Sequence, residues 1–305
     1  MQEILLQTTN LTKQFGRHRA VDQVNLHIKK GSIYGFIGRN GAGKTTCLKM
    51  ISGLSKPSRG EITLFGYTGK DLKKVRSRVG CLIEAPGLYG NMSAYENIKL
   101  KCKLFGIVKE SYMQNILELV GLEQTGNKKT KQFSLGMKQR LGIGLALVGE
   151  PDLLILDEPI NGLDPQGIAE MRDMIQKLNE EHNMTILISS HILEELSKIA
   201  TDYGIIHNGV LVQELTREEL LQRCRERIEI TMEHPEQALP VLDGMKIKNY
   251  QVVDKEHIHV FERLNDSAIM NMELAKAGCL VKGISMKSEE LENYFLNLTG
   301  GEQNA

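Results

Sequence analysis

The chain of 305 residues has no tryptophan, only 7 phenylalanines, 8 tyrosines and 7 prolines. Its cores must therefore be built from aliphatic side chains, with 13 methionines as adaptable filler. Net charge is also absent, since 38 Lys and Arg balance 38 Asp and Glu. That balance argues against a protein that grips nucleic acid through its global field, and no nucleic acid partner is expected. No hydrophobic run approaches the roughly 20 residues that cross a bilayer. The most apolar segment, residues 141–148, is short and carries Gly142 and Gly144. Five scattered cysteines, odd in number and without C-x-x-C spacing, fit reduced thiols better than disulfides or a zinc site. The N-terminus MQEILLQTTN shows no export signal. The expectation is a cytoplasmic chain of ordinary globular composition, long enough for two domains.

What is present begins with alternation. Residues 20–28 and 61–65 alternate apolar and polar positions, which predicts antiparallel strands. Residues 33–37 form a compact apolar run leading into GRNGAGKTT. Residues 85–150 turn helical: Ser93 and Glu96 have the spacing of a capping box that opens a helix to about Phe105, with further helices over 111–120 and 136–148. A buried strand at 153–156, a helix at 165–178, a strand at 185–188 and a helix at 191–199 predict a parallel sheet covered on both faces. Thr216 and Glu219 form a second capping box at the exit from this region. The pattern restarts at Arg227 as β-α-β-β-α-β (228–232, 235–242, 250–253, 258–261, 266–276, 280–285), the order of a ferredoxin-like unit. A last amphipathic helix over 289–298 ends at Gly300-Gly301. The expected organisation is α/β: a nucleotide-binding domain over 1–218 with a helical subdomain at about 85–150, a linker at 219–226, and a small α+β domain over 227–305. His234, His257 and His259 are too few and irregular for a metal site there.

The segment Gly38-Arg39-Asn40-Gly41-Ala42-Gly43-Lys44-Thr45 fits G-x-x-x-x-G-K-[ST]. Glycines let several backbone N–H groups curl around one phosphate, and the following helix adds its positive end. Lys44 supplies a full charge for the β- and γ-phosphates, and the Thr45 hydroxyl is placed to ligate magnesium. Asp157, ending the run Leu153-Leu154-Ile155-Leu156, is the carboxylate for the magnesium shell, and Glu158 is then available to orient or deprotonate water. ATP and Mg2+ are the expected substrate and metal. Cys47, in the first turn of the phosphate-loop helix, sits where a helix dipole can lower a thiol pKa, although packing is the plainer reading. Lys128, Lys129, Lys131, Lys138 and Arg140 read as a solvated face.

Phe133-Ser134-Leu135-Gly136-Met137-Lys138-Gln139-Arg140 narrows the class. Here the chain resembles the ATP-binding-cassette (ABC) family. Phe133–Met137 looks like its signature loop, Asn161-Gly162-Leu163-Asp164 like its D-loop and His191 like its switch histidine, all in the family's order over about residues 1–215. The resemblance implies that Ser134 and Gly136 contact the γ-phosphate held by a second subunit. Two chains, identical or alike, would then close head-to-tail over two ATP molecules. It also implies that Phe15 stacks on adenine, that Gly38 to Thr46 cradle the phosphates, and that Glu158, His191 and Lys44 carry hydrolysis.

Three positions depart from the pattern: Glu84 stands where the family usually has Gln, Leu135 replaces the signature loop's usual first glycine, and Arg39 replaces Pro. Glu84 is a candidate metal contact beside Thr45 and Asp157. The segment Ile83-Glu84-Ala85-Pro86-Gly87-Leu88-Tyr89 is similar to exporter ATPases of bacitracin resistance and lantibiotic self-protection. That likeness implies an ATPase subunit that drives a separately encoded integral-membrane permease and sits peripherally on the inner face of the membrane. Leu88, Tyr89, Met92 and Tyr95 are candidates for the groove that receives a permease helix. The alternative is a soluble ABC ATPase switch acting on a macromolecular partner.

Overall fold

Period-two alternation through the first sixty-odd residues produces antiparallel pairing in the computed structural model, which describes residues 3–224, 226–287 and 291–299. Strands β1 (Ile4–Phe15), β2 (His18–Val24) and β3 (His27–Lys29) come first. Next, β4 (Ile33–Ile37), buried along its whole length, runs toward α1 (Lys44–Ser52), and β5 (Arg59–Leu64) and β6 (Tyr67–Thr68) follow. Strand β1 is the hub of a five-stranded sheet, paired with β2, β3 and β5, with β6 beyond β5. A polar residue inside this layer is fully used: Thr8 Oγ1 donates to Val24 O at 2.9 Å and accepts from Leu26 N at 2.8 Å.

A second layer starts with β7 (Val79–Leu82) and three helices, α2 (Ala94–Leu104), α3 (Glu110–Leu119) and α4 (Leu135–Leu147). It continues through β8 (Leu153–Asp157), α5 (Pro165–His182), β9 (Thr185–Ser190), α6 (Leu193–Ser197), β10 (Asp202–His207) and β11 (Val210–Thr216), after which comes α7 (Arg217–Arg223). The sheet order is β11-β10-β4-β9-β8-β7. Every pairing from β10 to β7 is parallel, and β11 is antiparallel to β10. Strands β4, β8 and β9 are buried at every position, which is why they read as bare aliphatic runs.

The capping box at α2 is present in full, with Ser93 and Glu96 each holding the other's backbone amide. Helix α5 opens on Asp164, whose carboxylate accepts from Gly167 N at 3.1 Å, with Pro165 next. It runs one turn past the expected end and stops at Asn183, which takes the left-handed conformation. Helix α6 is shorter than expected, leaving His191 outside it. Strands β10 and β11 were not anticipated.

The chain divides into two compact units after Arg217, and α7 occupies most of the segment expected to be a linker. In the second unit, β12 (Arg227–Met232), α8 (Leu239–Gly244), β13 (Tyr250–Val252), β14 (His257–Val260), α9 (Ser267–Lys276) and β15 (Val281–Lys287) precede α10 (Leu291–Leu298). Its antiparallel sheet has the order β13-β14-β12-β15, that of a ferredoxin-like unit. The register Ile228↔Val260 and Ile230↔Ile258 puts these apolar side chains on one face, in a core shared with Leu242, Met270 and Leu274. The helix expected over 235–242 is instead a 3-10 turn, Pro235–Gln237, followed by α8. Pro240 accounts for the break, since it cannot sit in a helix interior without losing a hydrogen bond and clashing with the preceding turn. Glu289, Gly300 and Gly301, the expected ends of the last helix, lie outside the described residues.

The helical layer docks on the parallel sheet where α4 passes β7. A Cβ built on Gly80 would lie 2.2 Å from Ala146 O and 3.0 Å from Pro151 Cγ. Gly80→Ala is expected to lower unfolding stability by about 1–3 kcal/mol, read from the shift in urea midpoint; an unchanged midpoint would show that α4 can retreat freely.

Candidate nucleotide site

The C-terminal ends of the parallel strands converge on one loop. Strand β4 leads to Gly38, whose N–H donates to Ser190 O at 3.3 Å, so the loop is tied to the end of the neighbouring β9. Gly43 has φ +106, and a Cβ there would lie 2.4 Å from Ala20 O. No other residue fits a left-handed position against the backbone of β2. Arg39, Asn40 and Gly41 form the exposed tip, Ala42 N donates to Arg39 O at 3.1 Å, and α1 begins at Lys44 with Thr45 and Thr46 in its first turn.

Lys44 is only 6% exposed. Its ammonium donates to Gly38 O at 2.6 Å and Arg39 O at 3.3 Å, and lies 3.0 Å from Glu158 Oε1. The last contact is charge against charge rather than a hydrogen bond, since buried Glu158 Oε1 accepts none. His191 Nδ1 lies 2.7 Å from the other oxygen, Glu158 Oε2. Thr45 Oγ1 donates to Asp157 Oδ2 at 2.8 Å. Ser189 Oγ donates to Asp157 Oδ1 at 2.6 Å and accepts from Glu158 N at 3.0 Å. Glu158 itself has φ +49, a conformation rare for a side-chain-bearing residue.

The structure thus brings together Lys44, Thr45, Asp157, Glu158 and His191. Ser189 belongs with them although the sequence did not single it out; its one signal is the first of two serines that follow the apolar run of β9. Other expected residues stand apart. Glu84, with φ +64, is mostly exposed and pairs with Lys49 rather than joining Thr45 and Asp157. Phe15 ends β1, is 55% exposed, and has Lys13 Nζ 5.0 Å from its ring centre. Burial, not the helix dipole, decides the Cys47 thiol, whose pKa is pushed up to about 12.

This group is a carboxylate pair and an ammonium beside a ring of amides at a helix start, the equipment for binding and cleaving a triphosphate. Comparisons agree. The ABC transporter family pattern matches residues 21–161. The bacitracin transport ATP-binding protein BcrA of Bacillus licheniformis is 43% identical over 97% of this chain and 98% of its own length. The chain belongs to the ABC transporter family. The lantibiotic transport ATP-binding protein SrtF of Streptococcus pyogenes is 45% identical over 69% of this chain and 90% of its own. A dimeric post-hydrolysis state of the ATP-binding cassette MJ0796, bound to ADP and Pi, superposes with TM-score 0.63 at 27% identity, covering 70% of this chain and 98% of that one. This ABC chain is an ATPase, and no helix among its described residues is long and apolar enough to cross a membrane.

The residues expected to form a signature loop, Ser134 and Gly136, lie at the start of α4. Ser134 caps that helix, its Oγ accepting from Met137 N at 3.2 Å, and Gly136 follows within the first turn. Neither joins the Lys44–Asp157–Glu158 group. A separate cavity of about 520 Å³ opens between β7 and helices α2 and α4. Tyr89, Leu100, Leu104, Phe105 and Leu145 supply its apolar wall, and Arg76 and Lys101 its charge. Of the four residues expected in a groove, Tyr89 lines it, whereas Leu88, Met92 and Tyr95 do not; the Tyr95 hydroxyl donates instead to Glu110 at 3.2 Å. Leu104 and Phe105, at the end of α2, were missed because a helix terminus gives no periodic signal.

Ser189→Ala would leave the buried Asp157 Oδ1 without its donor and the Glu158 amide without its hydroxyl acceptor. It is expected to cost about 1–3 kcal/mol in unfolding free energy, and to raise the magnesium concentration needed for half-maximal ATPase activity. Retention of both values would remove Ser189 from the site.

Proposed function

We propose that the chain is the ATP-hydrolysing subunit of an exporter for a peptide antibiotic or similar amphiphile, working with a separately encoded permease. The observation that carries the catalytic part is the placement of Glu158 beside both Lys44 and His191. In the free chain Lys44 balances the Glu158 carboxylate. Bound triphosphate, with its greater charge, draws the ammonium to the β- and γ-phosphates and releases Glu158 to accept a proton from water. His191 holds that water and the γ-phosphate in line, and the amides of residues 41–46 take the phosphate oxygens. Arg39 and Asn40 stand at the loop's mouth, and Phe15 offers a face to adenine.

Thr45 and Asp157 present hard oxygens 2.8 Å apart, which fits magnesium, an ion that takes one or two protein oxygens and leaves the rest to phosphate and water. When bound, magnesium neutralises phosphate charge. Glu84 could join that shell only by giving up Lys49.

Ser134 and Gly136 lie outside the group in their own chain, which supports a site completed by a second copy or a like subunit. There the N-terminus of α4 offers neutral donors to the γ-phosphate. Binding closes the pair, and hydrolysis reopens it. The cavity beside β7 fits an amphipathic helix from a permease's cytoplasmic loop, with apolar residues against Tyr89, Leu104 and Phe105 and an acidic edge toward Arg76 and Lys101. The substrate class rests on the full-length likeness to the bacitracin transport protein. The peripheral location on the inner membrane face follows from the permease.

Glu158→Gln is expected to cut turnover at least about a hundredfold while ATP still binds, so dimers accumulate in size-exclusion chromatography with ATP and magnesium. Near-wild-type turnover would sink the assignment of the base. Leu104→Glu should abolish the antibiotic protection conferred by the chain with its permease, yet leave the ATPase rate of the isolated subunit within about twofold. Parallel loss of both would mean that Leu104 supports the fold rather than the partner.

A further inference from the structure

Leu135, the residue that departs from the family's signature loop, touches a part of the molecule that the ATP chemistry above does not use. The residue is 47% exposed on the first turn of α4. A Cβ placed on Gly162 would lie 3.2 Å from Leu135 Cδ2, so the Leu135 methyl covers the bare backbone of that glycine. The reciprocal contact is also present: a Cβ placed on Gly136 would lie 3.6 Å from Leu163 Cδ2. Each segment therefore offers a leucine to the other's glycine. Gly162 has φ +76, so a side chain there would be strained as well as crowded. One turn further along α4, Arg140 Nη1 lies 3.5 Å from Glu170 Oε2 on α5, a third tie between the same two segments.

Gly162 and Leu163 are part of the turn that leaves Glu158. Asn161 N donates to Glu158 O at 3.1 Å, and Leu163 N to Ile160 O at 3.3 Å. Four residues thus separate the carboxylate from the leucine clasp, and they are folded back by their own hydrogen bonds. We infer that Leu135 is a positioning residue which makes the start of α4 and the turn after Glu158 move as one piece. Ser134 engaging a nucleotide then sets the orientation of Glu158 in the same chain. A packed contact of this kind transmits displacement because close-packed side chains shift between discrete arrangements instead of deforming smoothly. The inference rests on the two-chain site proposed above, since Ser134 must be pulled by a nucleotide that its own chain does not hold.

The test is steady-state ATPase as a function of ATP for wild type, Leu135→Gly, Leu135→Met, Leu163→Ala and the double variant Leu135→Gly/Leu163→Ala. Leu135→Gly should lower kcat about tenfold and bring the Hill coefficient to near one, with the affinity of the dilute protomer for a fluorescent ATP analogue unchanged. Leu135→Met should restore most of the rate. The double variant should fall no more than about twofold below the worse single change, because both remove one clasp. A Leu135→Gly enzyme with wild-type kcat and Hill coefficient overturns the inference, as do multiplicative losses in the double variant. A wild-type Hill coefficient of one overturns it too, while leaving the shared site intact. Failure of the shared site reads out separately, as a wild-type rate per protomer that does not fall on dilution.

Discussion

Two adjacent carboxylates at the end of one buried strand set the terms for the rest of the first unit. Asp157 is 6% exposed, and a carboxylate taken out of water must be met by donors or it destabilises the fold. Thr45 meets it from the phosphate-loop helix and Ser189 from β9. This obliges β4, β8 and β9 to end level with one another. Glu158 turns out of the strand by a positive φ and finds the Lys44 ammonium and the His191 ring. The positions of the loop, of His191 and of the parallel strands are thus consequences of one charge problem, solved by neighbouring side chains.

That arrangement also explains why the helical layer can be a separate body with its own duties. It meets the sheet tightly at Gly80 and Ala146, leaves an apolar cavity beside β7, and touches the turn after Glu158 through the paired leucines and glycines. None of these contacts includes the Lys44–Asp157–Glu158 group. The Lys44–Asp157–Glu158 group and these surfaces of the helical layer are therefore chemically distinct, joined only through the packing at Gly162 and Leu163.

Much of the site was legible in the sequence because its chemistry is local. A loop of glycines before Lys44 and Thr45, or an aliphatic strand ending in Asp157-Glu158, carries its meaning within ten residues, and the ABC likeness followed from the order of such segments. The β-α-β-β-α-β reading of the second unit also matches the sheet, because alternating strands such as Arg227–Met232 show period two whatever they pair with. What local spacing leaves unmarked is set by distance in the chain or competition for a partner. Glu84 carries the right chemistry for a metal, yet Lys49, 35 residues away on α1, holds it outside the group. Pro240 cut a helix that apolar spacing alone would have continued. Strands β10 and β11 were missed: β10 draws its parallel partner from β4, some 170 residues earlier.

The amino-acid sequence by itself determined the class of chemistry, the strands that end at it and the likeness to ABC transporter subunits, since residue type and short-range spacing suffice for phosphate binding. Tertiary structure alone decided which carboxylate faces Lys44, that Ser189 serves both Asp157 and the Glu158 amide, that Cys47 is sealed by burial, and that Leu135 lies on Gly162. Each of these depends on two segments far apart in the chain meeting in space. A side chain's charge, reactivity or grip is set by what stands next to it, and that neighbour is chosen only when the chain folds.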